Sequence, residues 1–155
     1  MGQVGGLGDG RGRVCLLGAT AGRATLNGEG VQNQGGLSAL FACAYPSCVT
    51  YDPSFAYELA VVIEEGMRRM VAEEEDVFFY ITLYNENLDM PAMPEGCKQG
   101  ILDGLYLLDE APAGEEPEVR LLGRGPALPL CPLYTSAAAG DALRVDLRRW
   151  RGLRR

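Results

Sequence analysis

The side chains best equipped for chemistry are gathered in one stretch, Gly18 to Ser38, which reads GATAGRATLNGEGVQNQGGLS. Thr20, Arg23, Thr25, Asn27, Glu29, Gln32 and Asn33 stand there on a Gly-rich backbone. Their hydroxyls, amides, guanidinium and carboxylate can hydrogen-bond a polar ligand; equally, Arg23 and Glu29 can pair and brace the loop itself. Loops longer than about 12 to 15 residues are uncommon in compact domains, and those that occur tend to be functional or disordered. A second polar group, Asn85-Glu86-Asn87, follows the apolar run Val77 to Tyr84. In α/β sheets ligands sit beyond the carboxyl ends of the strands, so a polar triplet after a buried strand is in a candidate place.

Both groups need elements to hold them. Val14-Cys15-Leu16-Leu17 precedes the loop, and Ala39-Leu40-Phe41-Ala42-Cys43 follows it. Consecutive apolar residues bounded by glycines suit a strand covered on both faces, so Arg13 to Leu17 is expected as the first regular element, in a parallel sheet. Tyr45 to Tyr51 is expected as a second short strand, and Val77 to Tyr84 as a buried central one. Between these two, Asp52 is expected to cap a helix whose first turn holds Pro53. Phe55, Leu59, Val62, Ile63, Gly66 and Met70 would form its buried face, and it would run to about Ala72. Glu64, Glu65, Arg68 and Arg69 would lie on the solvated face as i, i+4 pairs. Met90 to Pro94 reads as a stiff loop, followed by a helix from Pro94 to about Leu108. Gly100 and Gly104 inside that helix imply a backbone packed closely on a neighbour, in this chain or in another subunit.

Composition bounds the rest. A chain of 155 residues with 47% apolar residues and a net charge of -7 has the material for one globular domain. It contains no apolar run of about 18 residues, so it is not expected to span a membrane. The acidic balance argues against nucleic acid as main partner, although six of the thirteen arginines fall between Arg144 and Arg155. A basic patch around Trp150 is the competing reading of that end. Cys15, Cys43, Cys48, Cys97 and Cys131 include no C-x-x-C pair, and the chain has no histidine; reduced thiols in a cytoplasmic protein are expected, with no metal site. The first residues carry no secretory signal. Gly8-Asp9-Gly10 with Asn33 imitates a metal-diphosphate signature without its spacing or its strand, and Gly28-Glu29-Gly30 is not a dinucleotide fingerprint. Asp109 to Pro117 reads as an acidic linker, and Val119 to Gly123 as the first strand of whatever follows.

Three ordered blocks carry a resemblance. LLGATAGRATLNGEGVQNQGGLS, YPSCVTYDPSFAYELA and the segment from Ile81 to Tyr106, with its LYNEN and PAMPEG, are similar to the homodimeric type of pyruvate dehydrogenase E1 component across residues 8 to 108. The resemblance implies an α/β fold: the later part of a transketolase-like pyrimidine-type domain, a largely parallel sheet with flanking helices. It implies residues 1–108 as that partial domain, 109–118 as the linker, and 119–155 as a remnant of the next domain or a non-family, disordered tail, a shifted reading frame being one origin for the latter. It implies thiamine diphosphate and Mg as cofactors of the intact enzyme, and an E2 lipoyl acyltransferase and a second E1 subunit as partners, in the cytoplasm. The activity implied is oxidative decarboxylation of pyruvate, with the cofactor ylid as nucleophile.

Carried over residue by residue, the resemblance makes Glu29 and Asn33 the catalytic positions. Arg23, Thr25, Asn27, Gln32, Asn85, Glu86 and Asn87 line the substrate and cofactor loops. Asn33 stands where the family carries an active-site histidine, and an amide hydrogen-bonds but does not exchange a proton as imidazole does. The diphosphate signature and the acid that activates the aminopyrimidine lie upstream in the family, so the fragment alone is expected to be inactive and to bind no cofactor. The alternatives are a non-catalytic dimerisation or interaction module of this descent, a pseudoenzyme, or the E1 of another 2-oxo acid.

Overall fold

A computed structural model describes residues 2–18, 37–84, 87–109, 120–123, 125, 128 and 142–146. The elements run α1 (Gly2–Asp9), β1 (Cys15–Gly18), α2 (Ser38–Ala42), β2 (Cys48–Tyr51), α3 (Ala56–Met67), β3 (Phe78–Thr82), α4 (Lys98–Asp103), β4 (Leu105–Asp109), β5 (Arg120–Gly123) and β6 (Ala142–Asp146). The three strands expected around the loop are present, with β3 paired in parallel to β1 on one side and β2 on the other. This is the α/β architecture with a parallel sheet and flanking helices.

Side chains alternate across that sheet, as the two-residue period of a strand requires. Phe79 and Ile81, both 0% exposed, face one side with Tyr51 and meet Val61, Val62 and Met70 of the long helix. Tyr51 and Phe79 stack with ring centroids 6.3 Å apart. Phe78, Cys48, Leu16 and Tyr80 face the other side and meet Ala42, Val4 and Leu7. The connection from β1 to β2 passes over β3, and the one from β2 to β3 runs back. Right-handed crossovers then put α2 and α3 on opposite faces, which is where the two clusters place them.

Four readings are corrected here. First, the first element is α1 rather than β1. Glycine is a poor helix former, but burying Val4 and Leu7 against Phe78 overrides propensity, and the small residues let the helix close in. A Cβ on Gly5 would come within 3.2 Å of the Tyr45 ring.

Second, the long helix starts at Ala56, with Phe55 as its N-cap in extended conformation, so Asp52 and Pro53 lie outside it. The carboxylate at its first turn is Glu58, whose Oε2 accepts from the backbone N–H of Ser54 at 2.6 Å and of Phe55 at 3.3 Å. Ile63 is exposed, whereas Glu58 and Val61 are buried. A π-helical turn, Arg68–Ala72, ends the helix where the sequence predicts. Its charges pair as Arg68 with Glu65 at 2.7 Å, Arg69 with Glu75 at 2.5 Å and Lys98 with Glu64 at 2.7 Å, not as i, i+4 rungs.

Third, the helix predicted from Pro94 to Leu108 is limited to α4. Gly104 caps it in the left-handed region at φ +91, and the chain turns into β4. A Cβ on Gly100 would lie 2.7 Å from Tyr106 Cβ, so the close neighbour is this chain's own returning strand.

Fourth, Val119 to Gly123 forms β5 as expected, but the region beyond also supplies β6. β6 is the central strand of a second sheet, antiparallel to β4 and parallel to β5. Tyr106 and Leu128 join the main core from this part of the chain.

Candidate functional site

The loops leaving β1 and β3 lead to opposite faces of the sheet. After β1 the chain reaches α2, on the face of Phe78; after β3 it reaches α4, whose Ile101 packs with Phe79 and Ile81. Adjacent strands whose connections diverge in this way open a crevice at their carboxyl ends, where α/β proteins bind ligands. The two strand ends are tied, Leu83 N–H donating to Gly18 O at 3.0 Å.

The sequence candidates border this crevice. Arg23, Thr25, Asn27, Glu29, Gln32, Asn33, Asn85 and Glu86 lie outside the described residues, as does the Gly28-Glu29-Gly30 turn. Asn87 is described and exposed. What the structure brings together is the pair of anchor points, Gly18 and Leu83, from which both polar stretches depart.

Beside them is a buried group that sequence reasoning missed. Asp52, 7% exposed, accepts at Oδ1 from the Thr82 hydroxyl at 2.5 Å and from the Tyr84 hydroxyl. The pairing of Tyr51 with Ile81 sets Asp52 abreast of Thr82, and Thr82 and Tyr84 are two residues apart, so both hydroxyls reach the same oxygen. Gly125, at φ +54, closes over them; a Cβ there would sit 2.6 Å from Tyr84 Oη and 3.1 Å from Asp52 Oδ2. A capping residue and a buried acceptor are the same letter in a sequence, and nothing local separates them.

A second buried carboxylate follows within the same turn. Glu58, 0% exposed, accepts from Tyr106 Oη at 2.6 Å through Oε1, and Tyr106 in turn receives the Tyr57 hydroxyl proton at 2.5 Å. Burial raises the Glu58 pKa, the hydrogen bonds from Tyr106, Ser54 and Phe55 oppose the rise, and the charge of Asp52 adds to it. Burial and the Glu58 charge together push the Tyr106 phenol upward. Glu58 had a signal: it falls beside Phe55, Leu59 and Val62 on the apolar helical face, where a charge needs partners. The Ser54 hydroxyl, one residue before the N-cap, is buried without a hydrogen-bond partner.

The cysteines offer no nucleophile. The four described thiols, Cys15, Cys43, Cys48 and Cys97, are free. Burial pushes Cys48 up to about 12, and Cys15 and Cys97 are raised for the same reason, the opposite of thiolate activation.

The described basic side chains pair elsewhere, Arg11 with Asp76, Arg13 with Glu74, Arg68 and Arg69 with glutamates after α3, and Lys98 with Glu64. The described residues at the crevice are thus hydroxyls and one carboxylate bonded to one another, a set that does not fit a diphosphate and its Mg.

Fold and site define an open α/β domain of parallel strands, with polar connections leaving one end of the sheet. A model of the pyruvate dehydrogenase E1 component middle domain matches residues 3–91. The chain belongs to the pyruvate dehydrogenase E1 component family. It is 53% identical over 121 residues to the pyruvate dehydrogenase E1 component of Pseudomonas aeruginosa, covering 78% of this chain and 14% of that protein. It is 52% identical over 139 residues to that of Cupriavidus necator, covering 89% and 15%. It is 48% identical over 122 residues to that of Escherichia coli K12, covering 78% and 14%. The chain therefore spans about 14% of the length of the curated relatives it matches. Wherever the Cupriavidus match begins, a span of 89% of 155 residues includes about position 18 to about position 138, so the likeness continues past Gly123, where the family pattern was expected to fade. No helix among the described residues is long and apolar enough to cross a membrane.

Proposed function

We propose that this chain is part of an enzyme that decarboxylates pyruvate on thiamine diphosphate and transfers the acetyl group to the lipoyl arm of an E2 acyltransferase. The observation that carries the reading is the junction of Gly18 with Leu83: in a chain of this family, both polar stretches singled out from the sequence depart from one hydrogen-bonded point on the carboxyl end of a parallel sheet. Residues 18–38 contribute Glu29 and Asn33 as the groups nearest the chemistry. Arg23, Thr25, Asn27, Gln32 and the 85–87 triplet hold substrate or cofactor. The cofactor's diphosphate and Mg are held by parts of the whole enzyme other than the described residues, and the chain alone binds no cofactor and turns over no substrate. The whole enzyme is cytoplasmic and pairs with a second E1 subunit. Residues 1–108 form the partial pyrimidine-type domain, 109–118 the linker and 119–155 the start of the next domain, a division that the reach of the Cupriavidus match supports.

The test is a graft. Residues 3–91 replace the matching stretch of the Escherichia coli relative, and thiamine diphosphate with Mg is titrated into the graft and into the 155-residue chain by calorimetry. The reading expects heat of binding from the graft and none from the chain at micromolar cofactor. A folded graft that binds nothing, or a chain that binds alone, overturns it.

A further inference from the structure

We propose that Asp52 is a positioning residue for this site: it fixes the point and direction in which the chain leaves β3 towards the 85–87 triplet. The inference rests on the reading above that this triplet lines the site. At its carboxyl end β3 is held from both flanks. On the β1 side, Leu83 N–H donates to Gly18 O at 3.0 Å. On the β2 side, Asp52 Oδ1 takes the Thr82 hydroxyl, the last residue of the strand, at 2.5 Å, and the Tyr84 hydroxyl two residues later. Regular strand pairing ends at Thr82, paired with Gly18, so beyond it the backbone ladder no longer fixes the chain. The two hydroxyl bonds extend that control by two residues. From above, Gly125 leaves no space for Tyr84 to move outward, since even a methyl group there would lie 2.6 Å from its oxygen. One 7%-exposed carboxylate thus joins the ends of β2 and β3 and the turn after β5.

Asp52 could not be replaced by a capping role, because α3 is capped through Glu58. A carboxylate accepting from hydroxyls also forms shorter, stronger bonds than neutral acceptors, which suits a fixed geometry more than a tolerant one. The chemistry required is an acceptor at Oδ1, not a negative charge, so an amide oxygen in the same place should serve.

Hydrogen exchange on the full 155-residue chain, with no cofactor present, tests this. The Leu83 amide, bonded to Gly18 O, reports on the carboxyl end; the Phe79 amide, bonded to Val14 O at 2.9 Å, reports on the amino end of the same strand. Asp52→Ala is expected to speed Leu83 exchange by about tenfold or more, with Phe79 unchanged, because opening confined to one end is a local event. Asp52→Asn is expected to restore the wild-type rate at Leu83. If Asp52→Ala does not fold, the Thr82→Val, Tyr84→Phe double variant is expected to give the same local acceleration with Asp52 in place. The proposal is overturned if exchange rises equally at Leu83 and Phe79, if Leu83 is unaffected, or if Asp52→Asn is as open as Asp52→Ala. Because the exchange needs no cofactor, it can fail while the graft binds, and the graft can fail while Asp52 behaves as described.

Discussion

The two ends of the parallel sheet are fastened by different chemistry. At the amino ends, Arg11 meets Asp76 at 3.5 Å and Arg13 meets Glu74 at 3.8 Å, linking the segments that enter β1 and β3, with every one of the four side chains well exposed. At the carboxyl ends, the same two strands and β2 are joined by buried hydrogen bonds: Leu83 to Gly18, and Thr82 and Tyr84 to Asp52. Exposed ion pairs are screened by water and tolerate movement. Buried charge-assisted bonds are directional, and leaving one partner unmet is costly. The difference teaches where the molecule needs precision, and it is the end from which residues 18–38 and 85–87 depart.

Breaking the buried end should therefore cost far more than breaking the exposed one. The largest effect is expected for Glu58→Ala, which leaves Tyr106 Oη and the Ser54 and Phe55 N–H groups without their acceptor in a 0%-exposed site. A loss of about 3 kcal/mol is expected from urea unfolding. Gly125→Ala should follow, at about 1 to 2 kcal/mol, since the left-handed backbone disfavours a side chain and the new methyl meets Tyr84 Oη.

The pH dependence sharpens the comparison from a third side. The Glu58 pKa is raised by burial, so between its unfolded value of about 4.3 and its higher folded value the native state binds more protons than the unfolded one. Its contribution to stability is present in full below the unfolded pKa and falls as pH rises through the folded pKa. Denaturation midpoints for the wild type and Glu58→Gln, measured in parallel from acid to neutral pH, should show the wild type losing stability relative to the variant as pH increases. A difference that stays flat or grows the other way contradicts the burial. The smallest effect is expected at the amino ends: Arg13→Ala or Arg11→Ala should shift unfolding by no more than about 0.5 kcal/mol, and less in high salt.

Much of this fold was legible because its signals are local. The alternating runs around Cys15, Cys48 and Phe79 announce strands, and the period from Phe55 to Met70 announces α3. The parts that were not legible depend on contacts distant in sequence. Asp52 has the look of a helix cap until Thr82 and Tyr84, thirty and thirty-two residues on, are brought beside it. Gly100 and Gly104 suggest an adjacent helix, but the neighbour is β4, a few residues later in the same chain. The Gly-rich α1 and the Arg-rich β6 lack the local preference for what they become, and only packing or pairing with other elements reveals them. Of the candidate site, the location was legible from strand ends and polar composition, whereas the anchors that hold it were not.

The central claim is that residues 18–38 of this chain do the work of a pyruvate dehydrogenase E1 component apart from the proton exchange that Asn33 does not offer. Turnover of pyruvate by the graft, with Asn33 and with Asn33→His, tests it most directly. The account predicts that both forms bind thiamine diphosphate equally and that Asn33→His is faster by about 10² to 10⁴, the range of a positioned acid or base. Equal rates for the two forms, or no turnover by the Asn33→His graft despite bound cofactor, would contradict it.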